Sequence, residues 1–151
     1  MDTLEELFRS YVKEMTPYVD QPISASSLNL SERLSHYWVS DKHWAYFIIY
    51  RAEIAGFCFI RHYPKEADSF DIDQFYISED YKRKGIGRET LRCAVNLHPG
   101  KWIVRVLTNN SRALAFWLSS IYSICGEEYN QSRELDGKIE MDFIRFSYKV
   151  R

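Results

Sequence analysis

The segment that governs the architecture of this chain reads Tyr81-Lys82-Arg83-Lys84-Gly85-Ile86-Gly87-Arg88, eight residues with four positive charges and two glycines. Residues 70–77 before it alternate in character and are rich in aromatic and branched side chains, which predicts a strand. Residues 88–97 after it carry apolar side chains at helical spacing, which predicts a helix. The octapeptide therefore joins a strand to a helix.

A glycine-containing turn that enters a helix exposes consecutive backbone N–H groups, and the helix dipole adds partial positive charge there. Lys82, Arg83, Lys84 and Arg88 surround these groups. The turn therefore predicts a bound polyanion, above all a pyrophosphate. The alternative is structural: the first glycine relieves a tight turn, the second allows close helix packing, and the charges form a solvated rim.

Composition predicts one packed domain over residues 1–151. The chain is 46% hydrophobic and 16% aromatic, which excludes disorder. Its formal net charge of -1 argues against a general nucleic-acid binder, so the basic turn is a local feature. The apolar runs, such as residues 54–60, are shorter than the roughly 20 residues of a membrane span. The acidic start does not resemble a signal peptide, and we expect a cytoplasmic protein without a membrane partner.

The three cysteines, Cys58, Cys93 and Cys125, lie far apart in apolar surroundings, and no C-x-x-C pair is present. The four histidines show no ligand spacing. These patterns predict buried free thiols in a reducing cytosol rather than disulfides, and no metal site.

Local patterns predict the order α-α-β-β-β-α-β-α-β-β, a mixed α/β layer. The two helices lie in residues 4–15 and after Ser31, and the later helices follow the basic turn and Asn110 or Ser111. The predicted strands are residues 44–50, 53–63, 70–77 and 102–107, with two more near 123–130 and 138–150.

This order resembles the GNAT superfamily of acyl-CoA-dependent N-acyltransferases. The family's phosphate-binding motif, Gln/Arg-x-x-Gly-x-Gly/Ala, matches residues 82–87 with Lys82 in the first position. A second signature, Asn-x-x-Ala-x-x-Phe/Leu-Tyr, matches residues 110–117 and ends in Trp117. The resemblance covers about residues 31–148. It implies an α/β fold with a mixed, mostly antiparallel twisted sheet and helices on both faces.

The chain departs from the family pattern in three ways. The usual strand before the first helix is short or missing, which leaves an edge that is bare or covered by a partner, so a homodimer is one expectation. Trp117 stands where relatives often have a tyrosine that protonates the departing thiolate, and an indole N–H is no general acid. Arg105 stands where some relatives place a glutamate base.

The resemblance implies acetyl-CoA as co-substrate. Main-chain atoms of residues 75–77 would pair with the pantetheine arm, amides of residues 82–87 would hold the pyrophosphate, Asn110 would bond the arm, and Trp117 would wall the thiol end. The implied contacts are Phe75, Tyr76, Ile77, Lys82, Arg83, Lys84, Gly85, Ile86, Gly87, Arg88, Asn110 and Trp117. The structural alternative makes Phe75 and Ile77 core residues and Asn110 a helix cap.

The implied acceptor is a primary amine of a small molecule, peptide or protein. A lysine-like amine with a pKa near 10.4 is neutral in only about one molecule in 2,500 at pH 7, a handicap of roughly 4–5 kcal/mol. A base must offset it. Asp71 and Asp73 lie two residues apart, so they share a strand face. Asp71 aligns with the catalytic glutamate of histone-type relatives, and either aspartate could instead be a solvated strand end.

Other roles stay open in the sequence. Tyr76, Tyr81 and Tyr122 are candidate proton donors to the thiolate. An aromatic group lines either the acceptor side or the core: His36, Tyr37, Trp38, His43, Trp44 and Tyr46. The main alternative function is a catalytically silent acyl-CoA-binding regulatory module. A nucleotide binder is disfavoured because no Gly-x-x-x-x-Gly-Lys-Ser/Thr loop is present.

Overall fold

The structure is a computed structural model that describes residues 6–7, 9–10 and 41–150. The described N-terminal residues are helical, in agreement with the first predicted helix. The predicted helix after Ser31 and the status of a leading strand lie outside the described residues. The elements that follow are β1 (His43–Tyr50), β2 (Glu53–Tyr63), β3 (Glu66–Ile77), a short 3-10 helix (Glu79–Tyr81), α1 (Ile86–Leu97), β4 (Gly100–Leu107), α2 (Ser111–Cys125), β5 (Tyr129–Asp136) and β6 (Ile139–Tyr148).

The strands form one sheet in the order β1-β2-β3-β4-β6-β5. Among the described strands only the β3–β4 pair is parallel, and the other neighbours are antiparallel. Arg51 and Ala52 close the β1–β2 hairpin with φ of 51° and 65°. Because both turn residues are left-handed, the twist of this two-residue turn matches the right-handed twist of the flanking strands. The predicted hairpin and the mixed, mostly antiparallel sheet are confirmed.

Helices α1 and α2 pack on one face of this sheet. The core between them and the strands contains Leu91, Val95, Trp102, Ile121 and Ile144, all almost fully buried. The opposite face carries a smaller apolar cluster of Tyr63, Ile103 and Phe143. Its side chains alternate along the strands with those of the main core.

The parallel pair β3–β4 is short, and this shapes the site. Its ladder covers only Ser69–Asp71 opposite Lys101–Ile103. Strand β3 nevertheless continues to Ile77, and β4 continues to Leu107 in full register with β6. A bulge explains the separation, because Ile60 pairs with Ile72 and Phe59 with Gln74, leaving Asp73 as the extra residue. A bulge bends its strand, so β3 and β4 diverge into a cleft at their carboxyl ends.

Three local predictions are corrected. The predicted strand at residues 123–130 is wrong, because α2 continues to Cys125 and ends at Gly126 with φ of 65°. The strand begins only at Tyr129. Helix α1 begins at Ile86, two residues earlier than predicted. All three cysteines are free, but Cys93 is exposed and only Cys58 is fully buried.

Candidate functional site

The basic turn ends in a left-handed glycine that opens α1. Gly85 is the N-cap of the helix, with φ of 78° and ψ of 5°. The first hydrogen bond onto the helix runs from Glu89 N to Gly85 O, at 3.2 Å. The amides of the first helical residues, Ile86, Gly87 and Arg88, therefore have no acceptor within the helix. A Cβ at Gly85 would meet no heavy atom within 4 Å. This open, donor-rich turn fits a diphosphate.

Positive charge is concentrated beside the turn. Burial lowers the pKa of Lys82, and the charges of Arg83 and Arg112 lower it further. Lys84 Nζ lies 6.0 Å from the ring centroids of Tyr50 and of Tyr81. Glu79 lies 3.5 Å from Lys82 and 3.3 Å from Arg83 and offsets part of this charge, and a bound anion would offset the rest. The sequence analysis did not predict that Arg112 adds to this positive charge. Its position two residues after the cap of α2 could have indicated it.

Three residues of the octapeptide contribute to packing. A Cβ at Gly87 would lie only 2.6 Å from Cζ of Phe116 on α2. Arg88 donates to Ser119 Oγ on α2 at 3.1 Å. Ile86 is buried in the main core. Gly87 therefore fits the structural explanation of close helix packing, whereas Gly85 borders open space.

Aromatic rings line the end of β3 beside the cleft. The Phe75 ring is 4.9 Å from the Trp117 ring and 6.1 Å from the Phe116 ring, measured between centroids. Trp117 is buried, and Phe75 and Ile77 pack against the main core. Beyond Asp71 the backbone of β3 has no ladder partner in β4 within the described residues. Those main-chain groups can pair with an extended ligand as a strand would.

Asn110 caps α2 at the end of the cleft. Its Oδ1 accepts a hydrogen bond from Ala113 N at 3.1 Å, and its side chain is buried. The cap satisfies one of the free amides of the first turn. Asn110 is therefore a helix cap, as the structural alternative predicts. A contact from its side-chain amide to a ligand stays a prediction.

Asp71 and Asp73 lie on the same face of β3 but in different environments. Asp71 is fully buried and accepts hydrogen bonds from Arg61 Nε at 3.0 Å and from Arg105 Nε and Nη2 at 3.0 and 2.9 Å. The side chain of Asp73 is 21% exposed, and its Oδ1 lies 3.5 Å from Arg61 Nη2 and 3.7 Å from Arg105 Nη2. Arg105 also donates to Asp136 at 2.6 Å.

Asp71 forms ion pairs with Arg61 and Arg105, and its role as a base stays a prediction. The pKa of Asp71 is raised, because burial outweighs the opposing charges and hydrogen bonds of Arg105 and Arg61. Burial lowers the pKa of Arg105, but Asp71 and Asp136 outweigh it, and the net change is upward. The two oxygens of Asp71 accept three guanidinium hydrogen bonds and the side chain has no exposed surface, so a substrate amine does not reach it unless these groups move. The signals for this cluster were the arginines within the otherwise apolar strands β2 and β4.

The candidate proton donors lie in separate places. The Tyr81 hydroxyl donates to Glu53, and Tyr122 is exposed on α2. Burial raises the pKa of Tyr76, whose hydroxyl hydrogen-bonds with Ser10 and Ser78. None of these described contacts directs a hydroxyl to Trp117.

The aromatic residues of β1 belong to the core rather than to the cleft. Trp44 and Tyr46 pack against the main core, and the Tyr46 hydroxyl is 2.8 Å from His98 Nε2 at the end of α1. His36, Tyr37 and Trp38 lie outside the described residues.

An open groove of about 500 Å³ lies at the other end of the sheet. Its cations are already paired, Lys101 with Asp68 at 3.0 Å and Arg145 with Glu66 at 2.7 Å. Glu127 and Glu128 add further negative charge. A polyanion would be repelled there, so the cleft is the better candidate for the phosphate site.

Comparisons with known proteins agree with this geometry. The model of the Acetyltransferase (GNAT) family matches residues 4–119. An acetyltransferase from Thermus thermophilus has a similar structure, with a TM-score of 0.67, 17% identity and coverage of 94% of this chain and 89% of that one. No curated protein matches the sequence. In the described part of the chain, no helix is long and apolar enough to cross a membrane.

Several similar structures contain coenzyme A, and two of them have TM-scores of 0.69. One is the spermidine N-acetyltransferase from Vibrio cholerae with CoA and spermine, with a TM-score of 0.69, 13% identity and coverage of 97% and 89%. The other is the PaiA N-acetyltransferase from Thermoplasma acidophilum with coenzyme A, with a TM-score of 0.69, 16% identity and coverage of 97% and 92%. At these identities the likeness shows the fold.

Proposed function

The chain belongs to the GNAT family of acetyltransferases, and on that premise we propose that it acetylates a primary amine by direct attack in a ternary complex. It is an acyl-CoA-dependent acetyltransferase, and acetyl-CoA is its co-substrate. The acceptor is an amine of a small molecule, peptide or protein. When bound, acetyl-CoA supplies an activated acyl group. The protein binds and orients acetyl-CoA and the amine, and it accepts the proton that the amine loses.

The observation that carries this proposal is the cleft between β3 and β4 with the open turn at its end. The ladder stops at Asp71, and the turn at Gly85 borders open space and leads into amides that have no acceptor within the helix. The main chain of residues 75–77 would hold the pantetheine arm, and the turn would hold the pyrophosphate. Phe75 and Trp117 would exclude water from the thiol end, where a backbone N–H would polarise the thioester oxygen.

Replacing Gly85 by valine tests the phosphate assignment. The side chain would cover the turn's amides, and losing two charge-assisted hydrogen bonds costs about 3–6 kcal/mol. Calorimetry should therefore show CoA affinity falling at least about 100-fold. Gly137→Val is the matched control, because Gly137 also has positive φ and open space but lies in the β5–β6 turn. Both changes should cost about 1–2 kcal/mol of stability, and equal CoA affinity in both variants would refute the assignment.

Asp73 is the aspartate that we propose as the proton acceptor for the attacking amine. It is partly exposed beside the bulge, whereas the carboxylate of Asp71 is enclosed by Arg61 and Arg105. A negative charge at this position attracts the ammonium form of an amine and can accept its proton. Asp73→Asn should slow turnover and displace the pH–rate profile upward.

The acceptor can be identified by thiol release from acetyl-CoA over a panel of amines. The panel should include aminoglycosides, polyamines, amino acids, peptide N-termini and lysyl peptides. Polyamines are included because a similar structure is a spermidine N-acetyltransferase. Thiol release that requires one of these classes would support the proposal.

Trp117 favours a second candidate, a silent acyl-CoA-binding regulatory module. Its indole is buried against Phe75 and Phe116, and it offers no acidic proton for the thiolate. A thiol with a pKa near 8.5 leaves readily as thiolate, so catalysis does not require that proton. Tight acetyl-CoA binding without thiol release over the whole panel would favour the module.

We also propose that residues 1–151 form one domain, supported by the single sheet and its main core. A cytoplasmic location is a further proposal, supported by the three free cysteines. A homodimer would cover the exposed Phe47 and Ile49 on β1. The absence of a nucleic-acid partner stays a prediction from net charge.

A further inference from the structure

We propose that the tip of the β1–β2 hairpin, residues 50–53, contributes to a site for the 3′-phosphate of CoA, formed by the side chains of Arg51 and Lys84. The proposal rests on the proposed function, because it requires the pyrophosphate at the turn that opens α1. It adds a second anion site on the β1–β2 side of that turn. It therefore predicts a preference for CoA over dephospho-CoA, which lacks only the 3′-phosphate.

The hairpin tip is held beside the turn. The Tyr81 hydroxyl, where the turn begins, donates to Glu53 Oε2, and Ser78 N donates to Ala55 O at 2.8 Å. The rings of Tyr50 and Tyr81 meet edge to face, with 6.2 Å between their centroids. Both rings also pack against the main core. Hydrogen bonds and packing therefore fix the position of the tip relative to the turn.

Two exposed cations meet at the tip. Arg51 Cζ lies 5.2 Å from the centroid of the Tyr50 ring, and Lys84 Nζ lies 6.0 Å from the centroids of both the Tyr50 and the Tyr81 rings. In the part of the chain that the structure describes, neither cation forms an ion pair. A ring holds an exposed cation only weakly, so both groups can bind an anion.

The acids near the tip contact other groups. Glu53 accepts the hydrogen bond from the Tyr81 hydroxyl, and the charge of Asp80 acts on the same hydroxyl. Glu79 pairs with the first two cations of the turn, at 3.5 and 3.3 Å. These acids reduce the positive charge of the region as a whole. They leave the two cations of the tip as the groups that an arriving phosphate would meet.

The order of the sheet places the tip on the side of the turn away from the cleft. Strand β3 has β2 on one side and β4 on the other, so the turn after β3 lies between the hairpin tip and the cleft. With the pantetheine arm in the cleft beside Phe75 and Trp117, the nucleotide end of CoA extends from the turn towards the tip.

The chemistry of the nucleotide end matches the two cations. The 3′-phosphate is on the same ribose as the pyrophosphate, so it lies one sugar away from the turn. As a phosphomonoester it carries a charge of about −1.5 to −2 at pH 7. A guanidinium offers this group paired N–H donors, and an ammonium offers it a compact charge. Arg51 and Lys84 together therefore fit the 3′-phosphate.

Calorimetry with CoA and with dephospho-CoA tests the proposal. We expect wild type to bind CoA about tenfold more tightly, because each exposed contact between a cation and the phosphate contributes a few-fold in affinity. Arg51→Gln and Lys84→Gln should each weaken CoA binding about three- to fivefold and leave the dephospho-CoA affinity within about twofold. The preference for CoA should also decline as salt rises from about 0.05 to 0.5 M.

Two further variants control for charge and for position. Lys138→Gln is the matched control, because Lys138 is an exposed cation in the turn of the other hairpin, β5–β6, and both affinities should stay unchanged. Arg112→Gln tests the α2 side of the turn, where the charge of Arg112 acts on Lys82. It should weaken both ligands alike. A preference for CoA that is lost in Arg112→Gln and kept in both tip variants overturns the proposal.

The remaining outcomes separate this proposal from the proposed function. Equal affinities of wild type for the two ligands overturn the tip assignment, even if thiol is released from acetyl-CoA. A preference that depends on the tip, without thiol release over the amine panel, supports the assignment and refutes acetyl transfer. Binding of neither ligand refutes both. The comparison of the two ligands in wild type stays decisive if a variant does not fold, and thermal unfolding checks each variant.

Discussion

Substituting alanine for Gly87 tests whether this glycine serves helix packing or the approach of a ligand. The new Cβ would lie 2.6 Å from Cζ and 2.8 Å from Cε1 of Phe116. The Phe116 ring must then move, and it lies 4.9 Å from the Trp117 ring and 6.1 Å from the Phe75 ring. The displacement would therefore disturb the aromatic lining of the cleft.

Two opposing effects set the change in the free energy of unfolding that Gly87→Ala causes. Alanine is favoured over glycine inside a helix by up to about 1 kcal/mol, and by less in the first turn, where Gly87 lies. Overpacking a well-filled contact costs about 1–3 kcal/mol. The balance is a loss of roughly 1–2 kcal/mol in the free energy of unfolding. For a chain of this length, that lowers Tm by about 2–8 °C.

A double-mutant cycle measures the contact directly. Thermal and urea unfolding of Gly87→Ala should show the loss, and the same change in a Phe116→Leu background should be neutral or stabilising. The coupling energy should lie within about 1–3 kcal/mol. If Gly87→Ala were as stable as wild type in both backgrounds yet lost CoA affinity, the packing argument would be refuted, and ligand approach would explain this glycine.

Two further predictions concern stability. Gly56→Ala would place a Cβ 1.9 Å from the Tyr76 carbonyl oxygen and 3.1 Å from Ile77 Cα, so β3 must shift at the cleft. Urea unfolding should show a loss of at least about 1–3 kcal/mol in the free energy of unfolding, and calorimetry should show weaker CoA binding. Wild-type values for both would contradict this prediction. Burial lowers the pKa of His98 below 6.5, and His62 lowers it further, so the unfolded chain binds the proton more readily. Stability should fall as pH drops below about 6.5, and His98→Gln should flatten that slope in urea unfolding between about pH 5 and 7.5. An equal slope in both proteins would exclude His98 as its source.

Local chemistry explains what could be predicted from the sequence. The basic turn, the hairpin at Arg51 and Ala52, and the cap at Asn110 depend on neighbouring residues, and the structure has all three. The different roles of Gly85 and Gly87 could not be predicted from the sequence, because the ring that contacts Gly87, Phe116, lies on another helix.

Long-range pairing explains what could not be predicted. The burial of Asp71 depends on β2 and β4 bringing Arg61 and Arg105 to its two sides. The separation of β3 from β4 depends on a bulge at Asp73, and no residue in this segment is of a type that predicts a bulge. The misplaced fifth strand has a local cause. Ile121, Ile124 and Cys125 are apolar and pack from α2 against the main core, whereas β5 is a mostly polar strand at the edge of the sheet.

The three-residue ladder between β3 and β4 makes the sheet two half-sheets joined by a narrow seam. The meander β1–β3 forms from hairpins, while β4–β6 is completed around α2, so each half has its own largely local assembly. A ligand lying across the seam contacts both halves and acts as a staple. Since it binds only when the halves are docked, at 100 times its Kd it would add about 2.7 kcal/mol to their cohesion.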